Sequence, residues 1–147
     1  MTDRYVIDTS ILMQAYIKDT LTKEVTSLLS SLDGDDSPEL HVMEIGLAEA
    51  ANVIWKHEVI FETITPDYAQ RVIKNLRELP LHLHLAENHL QQALDIGRRQ
   101  RLAIYDTLYI ALAQKLEIPL ITADSKQSKA ANAEGVQIKS LVDSPVQ

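Results

Sequence analysis

The chain predicts an α/β fold, a mainly parallel sheet sandwiched by helices in three layers. Short apolar or β-branched runs recur at residues 5–7, 40–43, 118–122 and 136–139, and stretches with helical spacing separate them. Glycine is scarce, at 4 of 147 residues, which suits a helix-rich chain with short connections. Strands that alternate with helices are joined by right-handed crossovers, and such crossovers gather the strand carboxyl ends on one edge of the sheet.

Each element has its own signal. Residues 5–7 read as a short buried strand, and Thr9 or Ser10 is placed to cap a helix running through Ile11, Leu12 and Ala15. A helix over 22–32 ends in the acidic loop 33–38, and 40–43 is a weak second strand. A third helix over 46–58 precedes a helix that Pro66 initiates and that runs to about residue 79. Residues 81–85 alternate Leu and His with period two, as an edge strand with one covered and one exposed face would. Helices over 87–100 and 105–116, a buried strand over 118–122, a short helix over 126–132 and a strand over 136–139 complete the chain. Residues 1–142 are expected to form one domain and 143–147 a frayed tail.

Hydrophobic content of 46% and charged content of 24% are those of a globular protein, which excludes disordered and fibrous classes. No apolar run approaches the ~18 residues of a membrane span, so no membrane association and a cytoplasmic location are expected. The absence of cysteine removes disulfides and thiolate chemistry. A net charge of −7 argues against a broadly basic nucleic-acid surface. It permits a local site, because divalent cations turn an acidic cluster from repelling phosphate to attracting it.

Four acids stand out. Asp8 ends the first strand and Asp124 follows a late one, which places both at the edge where open parallel sheets bind their ligands. Asp106 opens a helix and shares a face with Tyr109, Ile110 and Ala113, either as an inward carboxylate in need of a cation or as a helix N-cap. Glu49 lies with Asn52 and Lys56 on a narrow polar strip of a helix that is otherwise apolar through Leu47, Ala48, Ala50, Ala51, Val53, Ile54 and Trp55 and is expected to be buried, so Glu49 either faces a site or is an ordinary solvated Glu, the commoner case for a lone position.

The segments Tyr5-Val6-Ile7-Asp8-Thr9-Ser10, Leu47-Ala48-Glu49-Ala50-Ala51-Asn52-Val53-Ile54, Tyr105-Asp106-Thr107-Leu108-Tyr109-Ile110-Ala111-Leu112-Ala113 and Leu120-Ile121-Thr122-Ala123-Asp124 resemble, in order, the four motif blocks of PIN-domain ribonucleases. Length and composition are similar to the VapC-type toxins of toxin-antitoxin pairs. The resemblance implies a five-stranded sheet of order 3-2-1-4-5. It implies a metal-binding, catalytic quartet of Asp8, Glu49, Asp106 and Asp124, with Ser10, Asn52 and Thr122 assisting. It further implies Mg²⁺ or Mn²⁺ as cofactor, RNA as substrate, an antitoxin as partner, and a homodimer. The alternatives are a PIN nuclease of RNA maturation and a non-catalytic PIN-like module that binds RNA or protein.

Other signals point elsewhere. Residues 33–44 carry acids at positions 1, 3 and 12 of a calcium loop, but Pro38 occupies the glycine position. His82 and His84 share a strand face without an evident third ligand and read as exposed edge histidines. Arg98, Arg99 and Arg101 form the densest basic cluster, either a solvated helix end or a phosphate-guiding patch beside Asp106. A nucleophile elbow and a Gly-rich phosphate loop are both absent, and Ser10 stands where a dehalogenase-type phosphatase would need a second Asp.

Overall fold

The computed structural model describes residues 2–142, so the tail expected over 143–147 lies outside the described residues. Strand β1 (Arg4–Ile7) passes through helix α1 (Thr9–Leu12) into a 3₁₀ turn, Met13–Ala15. Helix α2 (Thr22–Ser30) returns the chain to β2 (Glu39–Met43), which runs without a loop into α3 (Glu44–Trp55) and a π-helical turn, Lys56–Ile60. Helix α4 (Pro66–Glu78) leads to β3 (His82–His84). Then come α5 (Leu90–Gln100), α6 (Ile104–Leu116), β4 (Leu120–Ile121) and α7 (Ser125–Ala133).

The four strands are parallel in the order β3-β2-β1-β4. This corrects the expected five-stranded sheet. Residues 136–139 contribute a single parallel bridge, Leu120↔Ile138, on the β4 edge where a fifth strand would lie. The reason is the length of β4, which begins only after Pro119, a residue with no N–H for the ladder. Leu120 alone therefore carries the outer pairing, donating to Gln137 O and accepting from Lys139 N, both at 2.9 Å.

Strand alternation sorts the core into two faces. Val6, Met43 and Leu120 pack with Ala93, Ile96, Leu108, Leu112 and Ala131 of α5, α6 and α7. Ile7, Leu40, Val42 and Ile121 pack with Ile11, Leu12 and Val25 of α1 and α2. A satellite cluster of Met13, Ala50, Ile54, Ala69, Val72 and Leu76 binds α3 and α4 to the end of the first helical segment. Each fully buried Leu or Ile contributes roughly 1.5–3 kcal/mol, so both sheet faces are strongly held.

Two expectations about exposure are corrected. Helix α3 buries only Gly46, Ala50 and Ile54, and Trp55 is 49% exposed, so its apolar circumference faces outward rather than into a core. Strand β3 is an edge as expected, yet Leu83 is exposed while His84 is half-buried, because β2 presents Glu39, His41 and Met43 on the face that His82 and His84 share. Among the described residues no helix is long and apolar enough to cross a membrane.

Candidate active site

The crossovers deliver Asp8 and Asp124 to neighbouring strand ends, since β1 and β4 pair through Ile7↔Ile121 and Asp8 N donates to Ile121 O at 3.2 Å. Each carboxylate also caps the helix that follows. Asp8 is the N-cap of α1, with Oδ1 accepting from Ser10 N at 3.0 Å, so it takes the place expected of Thr9 or Ser10. Its extended backbone (φ −70°, ψ 133°) lets the side chain reach back over the first turn. Asp124 does the same for α7, accepting from Gln127 N at 2.8 Å.

Asp106 is not a cap. Helix α6 begins at Ile104 behind Ala103, whose methyl group caps nothing, and Asp106 stands in the first turn, where the helix dipole favours negative charge. Glu49 lies on the outward side of α3. Burial is the main cause that lifts the carboxyl groups of Asp8, Glu49 and Asp106 above the usual carboxylate range. The next causes record their proximity: Asp124 raises Asp8, Asp8 and Asp106 raise Glu49, and Asp8 and Asp124 raise Asp106. Hydrogen bonds from the Ser10 backbone and hydroxyl, and one from Gln127, partly oppose the rise at Asp8. Together the four side chains make one field of mutually repelling charge.

Two knots of polar contacts hold this arrangement, the first buried and the second reaching from the interior to the surface. In the first, Thr9 Oγ1 and the Tyr109 hydroxyl are 3.1 Å apart and buried, and burial pushes the Tyr109 phenol above its ordinary value. Gly46 packs against both: a Cβ there would lie 2.6 Å from Thr9 Cγ2 and 2.7 Å from Thr9 Oγ1, and would also strike the Tyr109 hydroxyl. Thr9 follows Asp8, Gly46 precedes Glu49 by one helical turn, and Tyr109 follows Asp106 by one turn. One contact therefore sets the positions of three acids.

The second knot centres on Gln127, which is fully buried. Its Nε2 donates to Asp106 O at 3.0 Å and its Oε1 accepts from Thr122 Oγ1 at 2.5 Å, while the same Thr122 oxygen accepts from Asp124 N at 3.1 Å. Thr122 thus positions Asp124. Ser10 is exposed and bonds the Asp8 carboxylate. Asn52 is exposed and makes no side-chain hydrogen bond among the described residues.

Sequence reasoning passed over Gly46, Thr9 as a packing residue, and Gln127. The signal for Gln127 was present: Asp124-Ser125-Lys126-Gln127 has the spacing of a capping box, with Gln at the third helical position. A glycine inside an otherwise apolar helix was likewise a sign of close approach. The basic cluster divides, with Arg99 bound to Glu134 through Nε at 3.1 Å and Nη2 at 2.7 Å, and Arg98 lying 3.7 Å from Asp95.

The donor set of the quartet is entirely carboxylate oxygen, which fits a hard divalent cation such as Mg²⁺ or Mn²⁺ and suits zinc poorly. The raised carboxyl groups agree, because a cation is the partner that relieves their repulsion. The quartet is nevertheless wider than a closed cage: the described group whose three donor atoms all fall within 4.8 Å is Glu39, His41 and His82, on a different part of the sheet.

Against known proteins, this chain is 26% identical over 123 residues to Ribonuclease VapC3 of Pyrobaculum aerophilum, covering 82% of this chain and 89% of the relative. Its fold superposes with a TM-score of 0.66 on PAE2754 from Pyrobaculum aerophilum, at 16% identity and over 96% of this chain and 91% of the other. It superposes with a TM-score of 0.60 on a toxin-antitoxin complex from Klebsiella pneumoniae, at 18% identity and over 84% and 89% of the two chains. The sequence model described as PIN domain matches residues 5–133, so with the parallel sheet and the acids at its edge the chain belongs to the PIN domain family.

Proposed function

We propose that this protein is a Mg²⁺- or Mn²⁺-dependent endoribonuclease and the toxin of a VapBC-type pair. The observation that carries the reading is the convergence of Asp8, Glu49, Asp106 and Asp124, three of which are raised by burial and by one another's charge. The name of the Pyrobaculum relative supports the ribonuclease and the Klebsiella complex supports the antitoxin partner.

In this reading the four acids hold the cation, and a bound Mg²⁺ supplies activation of water and stabilisation of the leaving oxygen of a phosphodiester. Asp8 and Asp124 each accept a backbone N–H at a helix N-terminus through one oxygen, which fixes the orientation of both carboxylates at the sheet edge. Glu49 and Asp106 carry no capping bond, so their carboxylate oxygens are the ones left free to take the proton of the attacking water.

The antitoxin belongs, in the same proposal, on the outward apolar surface of α3 and α4. A groove of about 520 Å³ there is lined by Ala51, Ile54, Trp55, Ala69, Ile73 and Lys74, and the turn that follows α3 exposes Val59, Ile60 and Phe61. Patches of this kind mark protein partners. A basic side chain from the partner would neutralise the acidic quartet while seated beside it. The homodimer belongs to the proposal and is checked by mass in solution.

The test is growth on induction, with RNA cleavage by the purified chain. Wild type is expected to arrest growth and cut RNA in Mg²⁺, and a small co-expressed neighbour-encoded protein to restore growth and co-purify. Asp106→Asn and Glu49→Gln are expected to fold and to lose cleavage by on the order of a hundredfold or more. Cleavage at wild-type rate by both variants would remove the quartet from the chemistry.

A further inference from the structure

Four of the five histidines gather away from the acids, where β2 meets the edge strand β3 and α5 begins. The parallel register pairs His41 with His82 and Met43 with His84, which puts Glu39, His41, His82 and His84 on one face. His41 stacks on His82 with ring centroids 4.6 Å apart, and its Nδ1 is 2.9 Å from His84 Nε2. The donor atoms of Glu39, His41 and His82 all lie within 4.8 Å of one another. His82 Nε2 is already 3.4 Å from Glu39 Oε1, while Arg4 holds the other Glu39 oxygen at 3.3 Å.

The second observation is independent of this clustering. His41 is only 5% exposed, and its Nε2 is buried without a hydrogen-bond partner. A buried, unpaired ring nitrogen is costly, and native proteins rarely leave one. We propose that Glu39, His41 and His82 form a transition-metal site of the zinc class that clamps the edge strand β3 to β2, separate from the acidic quartet.

The ligand chemistry selects the metal. Two imidazoles and one carboxylate are a zinc donor set, and magnesium takes oxygen ligands instead. Tetrahedral ligands held at about 2.1 Å from zinc stand roughly 3.4 Å apart, the separation Glu39 and His82 already have, and the exposed His82 ring must turn out of its stack on His41, 23° between planes, for both imidazoles to point at one ion. The second ring nitrogen of a metal-bound histidine usually donates to a fixed acceptor. His41 Nδ1–H toward His84 Nε2 fills that role and leaves Nε2 its lone pair. Glu39 and His82 are partly exposed, which leaves a path for entry and a position for a water or an outside ligand.

The experiment titrates Zn²⁺ into the full chain by calorimetry with Mg²⁺ in excess, so that the carboxylate site is already loaded. The expected result is one Zn²⁺ per chain, with visible d–d bands of a tetrahedral ion when Co²⁺ replaces it. His82→Ala, at an exposed edge position, is expected to fold and to weaken binding by about tenfold to a hundredfold. Glu39→Gln is expected to weaken it too. His57→Ala, altering a histidine bonded instead to Thr63 at 2.8 Å, is expected to bind as wild type. Absence of Zn²⁺ binding under excess Mg²⁺ overturns the proposal, as does binding that survives both His82→Ala and Glu39→Gln or that is lost in Asp8→Asn.

Discussion

Gly46 is the residue on which the spacing of three acids turns, because only a missing side chain lets α3 approach the Thr9–Tyr109 contact. Gly46→Ala forces a methyl group into the Thr9 hydroxyl and methyl, and overpacking of this kind costs about 1–3 kcal/mol. The denaturation midpoint should fall accordingly, and cleavage in the folded variant should fall with it as Glu49 moves away from Asp8 and Asp106. A variant that is destabilised but fully active would show that the knot serves stability alone. Asp8→Asn is the complementary case. An Asn oxygen can still accept from Ser10 N, so the cap survives while the repulsion is relieved. Activity should be lost, whereas thermal stability in chelator should hold or rise by up to about 1 kcal/mol. A large loss of stability in Asp8→Asn would mean that its charge, rather than its capping oxygen, supports α1.

At the scale of elements, α7 is held against α5 by Glu134, which accepts from Arg99 and from Gln100 Nε2 at 2.7 Å. The Arg99 hydrogen bonds are the largest cause that lowers the Glu134 carboxyl below the usual range, with Gln100 and the Arg99 charge adding to them against burial. A carboxyl depressed on folding stabilises the protein above its unfolded value of about 4.3, and that stabilisation disappears as pH falls through the folded value. Glu134→Gln should therefore lower the urea midpoint at neutral pH, and the deficit should shrink progressively as the pH is taken below about 4. A deficit that persists undiminished in acid would assign the effect to shape. Elements also show what the sequence could disclose. Strands and crossovers were legible because β-branched runs and helical spacing are local, and Pro119 with a two-residue β4 explains the shortened fifth strand. Helix α3 misled because apolar composition does not distinguish a core face from a partner face; Trp55 and Val53 face outward. His41 went unnoticed as a companion to His82 because cross-strand register, not sequence distance, makes them neighbours.

At the scale of the whole molecule, function rests on how charge and nitrogen bases are distributed over one sheet. Of the net charge of −7, the quartet supplies four units, so the remainder of the chain is only mildly repulsive to RNA. The four acids were legible as short motifs, whereas the capping-box spacing at Gln127 and the helical glycine at 46 mark local features only, and the contacts through which both residues act form only after folding. The nitrogen bases are elsewhere: His41, His82, His84 and His89 cluster toward β3, His57 bonds Thr63, and no histidine is among the groups that act on Asp8, Glu49 or Asp106. Activation of the RNA 2′-hydroxyl by an imidazole base, the route to a cyclic phosphate, therefore has no residue to perform it at the quartet. On the proposed reading, attack by water would displace the 3′ oxygen, so fragments are expected to carry 5′-phosphate and 3′-hydroxyl ends, and chelation by EDTA is expected to stop cutting until Mg²⁺ or Mn²⁺ is restored. Because the 2′-hydroxyl then takes no part in bond making, a single 2′-deoxy substitution at the scissile nucleotide should weaken binding more than it slows the chemical step. End-group analysis of a labelled RNA decides the matter: 2′,3′-cyclic phosphate ends from a reaction run in chelator would displace the chemistry from the quartet and direct the search for a base to the histidines.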